Sequence, residues 1–153
     1  MDASWEAYFL LLENLGRTLE QLTEIEREKT AAVRRDDLMG LDECMKREQA
    51  VSMSLRTVER KRAALLGALD VKQERLSALP ERCPPQLRAK ARKAAGELRA
   101  KYDVYRSAAG VARTTLECSL HQVEKMITAR YGGDALREDI QPDGRSLFAD
   151  IRT

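Results

Sequence analysis

Apolar residues near the start of the chain recur at alternating steps of three and four: Trp5, Tyr8, Leu12, Leu15, Leu19 and Leu22, with Phe9, Leu11 and Ile25 widening the stripe. That period places one face of an α-helix against a core, and it predicts a first helix over about 5–33 with a coiled-coil seam. Glu26 and Lys29 weaken the seam. Arg34-Arg35-Asp36-Asp37 then supplies a polar break in which either aspartate can cap the next helix. A second stripe runs through Leu41, Cys44, Val51, Leu55, Val58, Leu65, Leu69, Leu76 and Leu79, interrupted by Glu48, Arg62 and Lys72. It predicts a helix over 38–79. Pro80 and Pro84-Pro85 cannot lie inside a helix but fit a first turn, so they mark a linker. A third stripe, from Leu87 through Leu98, Tyr102 and Tyr105 to Leu116, Leu120, Val123 and Ile127, predicts a helix over 86–130. Its middle, Ser107-Ala108-Ala109-Gly110-Val111-Ala112, is small, so a partner helix could approach closely or the helix could bend. Tyr131-Gly132-Gly133-Asp134 ends it, either glycine serving as a left-handed cap.

Helices of about 60 Å or more exceed a compact globule of this mass. The expected fold is therefore all-α: an elongated antiparallel bundle or coiled coil of three long helices over 1–130, followed by a flexible C-terminal tail over 131–153. The composition agrees, with 34% charged residues, 5% aromatic ones, 8 Gly and 4 Pro. Net charge is only +2, which demands no polyanionic partner. The charges are nevertheless segregated. The first thirty residues carry seven acids and three bases, whereas 82–101 carries seven bases and one acid. Complementary helices packing together would explain both. The basic stretch could instead neutralise phosphates, but it lacks interleaved aromatics, so an intramolecularly paired face is preferred to a nucleic-acid surface.

Cys44, Cys83 and Cys118 are odd in number and widely spaced, which argues for a reducing compartment rather than a disulfide framework. No apolar run is long enough to span a bilayer and the start of the chain is acidic, so neither membrane insertion nor a signal peptide is expected. Catalytic chemistry finds little to work with. His121, the single histidine, shares a helix with Glu117 and Cys118, but the second half of a metal site is missing. There is no GxGxxG or GxxxxGK[ST] cradle for a nucleotide. The expectation is a non-enzymatic binding protein without metal or cofactor.

The Leu-rich opening helix, whose end at Lys29–Val33 leads through an Asp-containing break into a new helix reaching Glu48, resembles the FlgN-type flagellar export chaperones. Thr115-Leu116-Glu117-Cys118-Ser119-Leu120 is similar to that family's Leu-Leu-Glu segment, and Tyr131-Gly132-Gly133-Asp134 to its Tyr-Gly-x-Asp-Gly tail. Ala109 and Ala112 stand where family members often carry Asn, and Ala135 replaces the tail's second Gly. The resemblance implies a bacterial cytoplasmic chaperone that holds the C-terminal helical segments of hook-associated proteins and delivers them to the type III export gate. It implies that Leu116, Leu120, Val123 and Ile127 contact the client and that Tyr131 docks on the gate. Helix-in-groove recognition would be the physical mode. The same seam could also serve self-association, as in a structural dimeric coiled coil, and the basic stretch leaves a nucleic-acid-binding regulator as the remaining alternative.

Overall fold

The computed structural model describes residues 2–71 and 75–132, and these are helical almost throughout. Three long helices, α1 (Asp2–Arg34), α2 (Leu38–Ala68) and α4 (Arg88–Tyr131), are joined by tight connections and by the single-turn helix α3 (Leu79–Arg82). The expected tail lies outside the described residues beyond Gly132.

α1 turns back into α2 within three residues. Asp36 takes the left-handed conformation at φ 56°, and the amides of Asp36 and Asp37 donate to the carbonyls of Val33 and Ala32 at 3.1 and 2.9 Å. These two bonds form a Schellman motif with Asp in the usual glycine position. Asp37 then caps α2, its carboxylate accepting from the Gly40 amide at 2.9 Å. That bond, aided by Arg35, holds the Asp37 carboxyl below its ordinary range. A methyl group at Gly40 would collide with this carboxylate, so the glycine makes room for the cap.

The second helix ends eleven residues before the expected Leu79. Asp70 is left-handed at φ 56°, and the amides of Asp70 and Val71 donate to Gly67 and Leu66 at 3.2 and 3.0 Å. This is the same Schellman geometry as at Asp36. Lys72 falls outside the described residues. Leu76 and Leu79, expected at the end of the α2 stripe, instead belong to short turns that fold under the bundle with Pro80 and Cys83 buried beside them.

α1 is the central element. α2 runs antiparallel to it, with Arg47 and Lys29 ion-paired to Glu28 and Glu48 near the turn, and Leu66 and Leu69 in the core around Tyr8. α4 runs parallel to α1: Lys90 meets Glu6 at 2.8 Å and Lys101 meets Glu20 at 3.0 Å. The acidic start and the basic stretch of the chain are thus partly each other's partners. Trp5, Tyr8, Leu12, Leu15, Leu19 and Leu22 are buried, and Ala91, Ala95, Leu98 and Tyr102 of α4 close over the same core.

Candidate functional site: the overhanging end of α4

α4 is longer than the helix it lies on. Val111 lines a groove together with Arg34, the last residue of α1, and no residue of α4 beyond Ala112 is buried. Arg113–Tyr131, nineteen residues, therefore projects past the α1–α2 turn for about 28 Å at 1.5 Å per residue.

The face presented by this overhang follows from helical period alone. Ala91, Leu98, Tyr102 and Ala112 bury one face of α4, mainly against α1. Leu116, Leu120, Val123 and Ile127 continue that face at the same spacing after α1 has ended. Leu116 is half-buried, whereas Leu120, Val123 and Ile127 are 59%, 47% and 42% exposed. All four expected client-contact residues thus lie on one face of α4, on which Leu120, Val123 and Ile127 are exposed among the described residues. Met126, 70% exposed, flanks the same stripe and went unremarked in the sequence pattern. At the same end of the molecule Leu38 and Met39 open α2 with both side chains exposed. A flexible thioether beside such a stripe adapts to differently shaped partners.

Charged residues flank the stripe on the overhang. Glu117 and Glu124, seven residues apart, follow the apolar stripe along one edge, and Glu117 also pairs with Arg113 at 3.2 Å. Tyr131 ends the helix with its ring 75% exposed, and Gly132, left-handed at φ 59°, donates its amide to the Thr128 carbonyl at 2.9 Å. The ring is therefore open to solvent, which a docking anchor requires.

The remaining candidates do not assemble a reactive centre. His121, Cys118 and Glu117 are all exposed on the overhang, and among the described residues no three His, Cys, Asp or Glu side chains converge as metal ligands. Burial raises the Cys44 thiol, with Glu28 beside it adding to the effect, and burial likewise raises Cys83, so both are held as unreactive thiols. Nor does Gly110 serve a close helix approach. A methyl group placed there would meet nothing, and α4 passes through it as one continuous helix.

A polar cluster lies between the core and the overhang. Glu26, only 3% exposed, and Glu48 share the Lys29 ammonium, at 3.3 and 2.6 Å. Burial, then the Glu48 charge, raises the Glu26 carboxyl above its ordinary value. Burial works to lower Lys29, but its hydrogen bond to Glu48 and the two carboxylate fields outweigh it and leave the amine raised. Tyr105 of α4 is pushed up to about 12 by burial and by the nearby Glu26 and Glu48. Thr23 and Thr30 satisfy their hydroxyls on the α1 carbonyls of Leu19 and Glu26.

Compared with protein-family models, curated proteins and solved structures, the chain matches none. Among the described residues no helix is long and apolar enough to cross a membrane.

Proposed function

We propose that the chain is a non-enzymatic export chaperone of the FlgN type, acting in the bacterial cytoplasm. On this reading it binds the C-terminal helical segments of hook-associated proteins along Leu116, Leu120, Val123 and Ile127. One observation carries the reading: the α4 face that is buried lower down continues past the end of α1 as an exposed apolar stripe. A disordered amphipathic segment that folds onto such a stripe would complete the bundle locally and hide its own assembly surface. Tyr131, at the end of the same helix, is the gate-docking residue in this proposal, and the long helices act as an elongated carrier without cofactor.

Leu120→Asp tests the reading. Because the side chain is largely exposed, the variant is expected to retain its helicity and melting temperature while losing affinity for a hook-associated C-terminal segment, measured by titration calorimetry. Unfolding of the variant, or undiminished binding, would remove the client assignment. Self-association through the same stripe is the second reading, favoured by that face being open. Light scattering separates the two, since an obligate dimer indifferent to the client would support a structural coiled coil.

A further inference from the structure

The outward face of α1 carries two columns of residues seven apart, and in each the charge changes sign between the two halves. One column reads Glu6, Glu13, Glu20, Arg27 and Arg34, and the other Leu10, Arg17, Glu24 and Ala31. All of them line a single groove between α1 and α4. Its three hollows run into one another, the first two sharing Glu20 and Lys101 and the last two sharing Arg27 and Val104. From Glu6 to Arg34 the groove is about 42 Å long at 1.5 Å per residue. Its α4 wall is low, with Ala94, Ala100, Ser107 and Ala108 beside Val104 and Val111. Leu10 on the α1 wall and these two valines are exposed apolar side chains.

We propose that this groove is the interface between two copies of the chain, joined antiparallel by a two-fold axis that passes beside Glu20. In such a pairing residue i of one copy faces residue j of the other, and j faces i. Turning α1 end over end about Glu20 sets Glu6 against Arg34 of the second copy and Glu13 against its Arg27. The other column reverses about the same point, to within about half a residue on the helix, and sets Arg17 against Glu24 and Leu10 against Ala31. One register therefore serves both columns. Two α1 helices meeting in parallel would instead set each of these charges against its own copy, a juxtaposition that opposes association.

The centre of the groove fits the axis. Glu20 would meet its own copy there, and α4 supplies a cation at that point: Lys101 pairs with Glu20 at 3.0 Å. The stem of Lys101 lies against Gly16, where a methyl group would come within 3.1 Å of it, so the glycine leaves room for this contact. Glu6, Glu13 and Arg27 have partners within the chain, Lys90, Arg17 and Glu24, yet their side chains stay 55%, 56% and 59% exposed. A carboxylate and a guanidinium each have sites for more than one hydrogen bond, so these groups can take a second partner. The two overhangs leave such a dimer at opposite ends, with the Leu120–Ile127 stripes outside the groove. The pairing therefore does not rest on the chaperone reading.

Cys118 reads the arrangement without any substitution, because it is exposed while Cys44 and Cys83 are buried. Lys101 stands beside the axis, and Cys118 lies farther along α4 by about 25 Å at 1.5 Å per residue. Spin labels on Cys118 of the full chain should therefore sit about 50 Å apart in the dimer, measured by pulsed dipolar spectroscopy. A separation under about 30 Å, expected of neighbouring helices if the copies ran parallel or joined through their overhangs, would overturn the proposal. So would a chain that sediments as a monomer at concentrations on the order of 1 mM. Arg27→Glu with Arg34→Glu should raise the dimer dissociation constant roughly tenfold or more at unchanged helicity, because the two-fold turns four surface pairs repulsive at once. Glu6→Arg with Glu13→Arg should do the same. Mixing these two double variants should restore association, since each then offers the charges the other needs. Folded variants that self-associate as tightly as the unaltered chain, or that fail to pair on mixing, would overturn the interface. Should either variant lose helicity, the Cys118 separation in the unaltered chain still decides.

Discussion

The two ends of α4 carry the same apolar spacing and have opposite fates. From Ala91 to Tyr102 the stripe is sealed against Trp5–Leu19 of α1, Leu66 of α2 and Leu69 just after it, and the turns at Leu76 and Leu79. From Leu120 to Ile127 it is exposed. Between them the interior changes character, from bulky aliphatic and aromatic side chains to Glu26, Lys29, Thr30, Ala32 and Ala112. Periodicity therefore reports which face of a helix is apolar, and only the length of the neighbouring helix decides whether that face is buried or exposed. A molecule anchored dry at one end and polar in the middle can expose or exchange partners at the far end without loosening its core.

The sharpest way to break this comparison is to truncate one leucine at each end. Leu19 is fully buried, and Leu19→Ala should destabilise the protein by about 2–5 kcal/mol, the range for removing a buried leucine side chain and leaving a cavity. Leu120→Ala should shift the urea midpoint hardly at all, because its side chain is already hydrated. Equal losses in the two variants would mean that the overhang is packed in solution and the contrast is false.

Next in size is the polar waist. Lys29→Met leaves Glu26 and Glu48 facing each other without their shared cation, and breaking a buried pair in this way costs on the order of 3 kcal/mol. The loss should depend on pH with a definite sign. Glu26 has a folded-state pKa raised above its unfolded value, so the folded protein binds the proton more readily. Its contribution therefore weakens as pH rises from the ordinary glutamate value through the raised one, and returns on acidification. Denaturant titrations of Lys29→Met at pH 5 and pH 7 should show the variant recovering part of its deficit at the lower pH. A deficit that instead grew on acidification would mean that Glu26 is ionised comfortably and the waist is solvated.

Much of this architecture was legible in the amino-acid pattern, because three long stripes of period 3.6 have few other solutions. The α1 seam, the break at Arg34–Asp37, the proline linker and the Gly132 cap all follow from local chemistry at those residues. The end of α2 did not. Glycine and proline are the familiar stop signals, whereas Asp70 stops the helix by entering the left-handed region, which Asp tolerates better than most residues. Asp36 does the same at the end of α1, so the signal was present and repeated. The stripe at Leu116–Ile127 was legible as apolar, yet its exposure was not, since it depends on α1 ending at Arg34 while α4 continues to Tyr131. The Glu26–Lys29–Glu48 cluster was visible only as weak points in two seams; that they coincide in space depends on the register of α1 against α2.

The smallest expected effect lies where the sealed and open parts of α4 join. Gly110 sits in the interior of the helix, exposed, and a methyl group added there would touch nothing. Gly110→Ala should consequently raise stability by about 0.5–1 kcal/mol through backbone entropy and helix propensity alone, with no change in packing. The two readings of this glycine separate on what else changes. If it is only a weak helix position, melting temperature rises and hydrogen exchange slows evenly along 105–131, while affinity for a bound segment is unaltered. If the glycine is a hinge that lets the overhang bend toward a partner, the stabilised variant binds that segment more weakly, because the bent form has become costlier to reach. Hydrogen exchange and calorimetry on the same variant therefore decide whether the overhang acts as a rigid extension of the bundle or as a jointed arm.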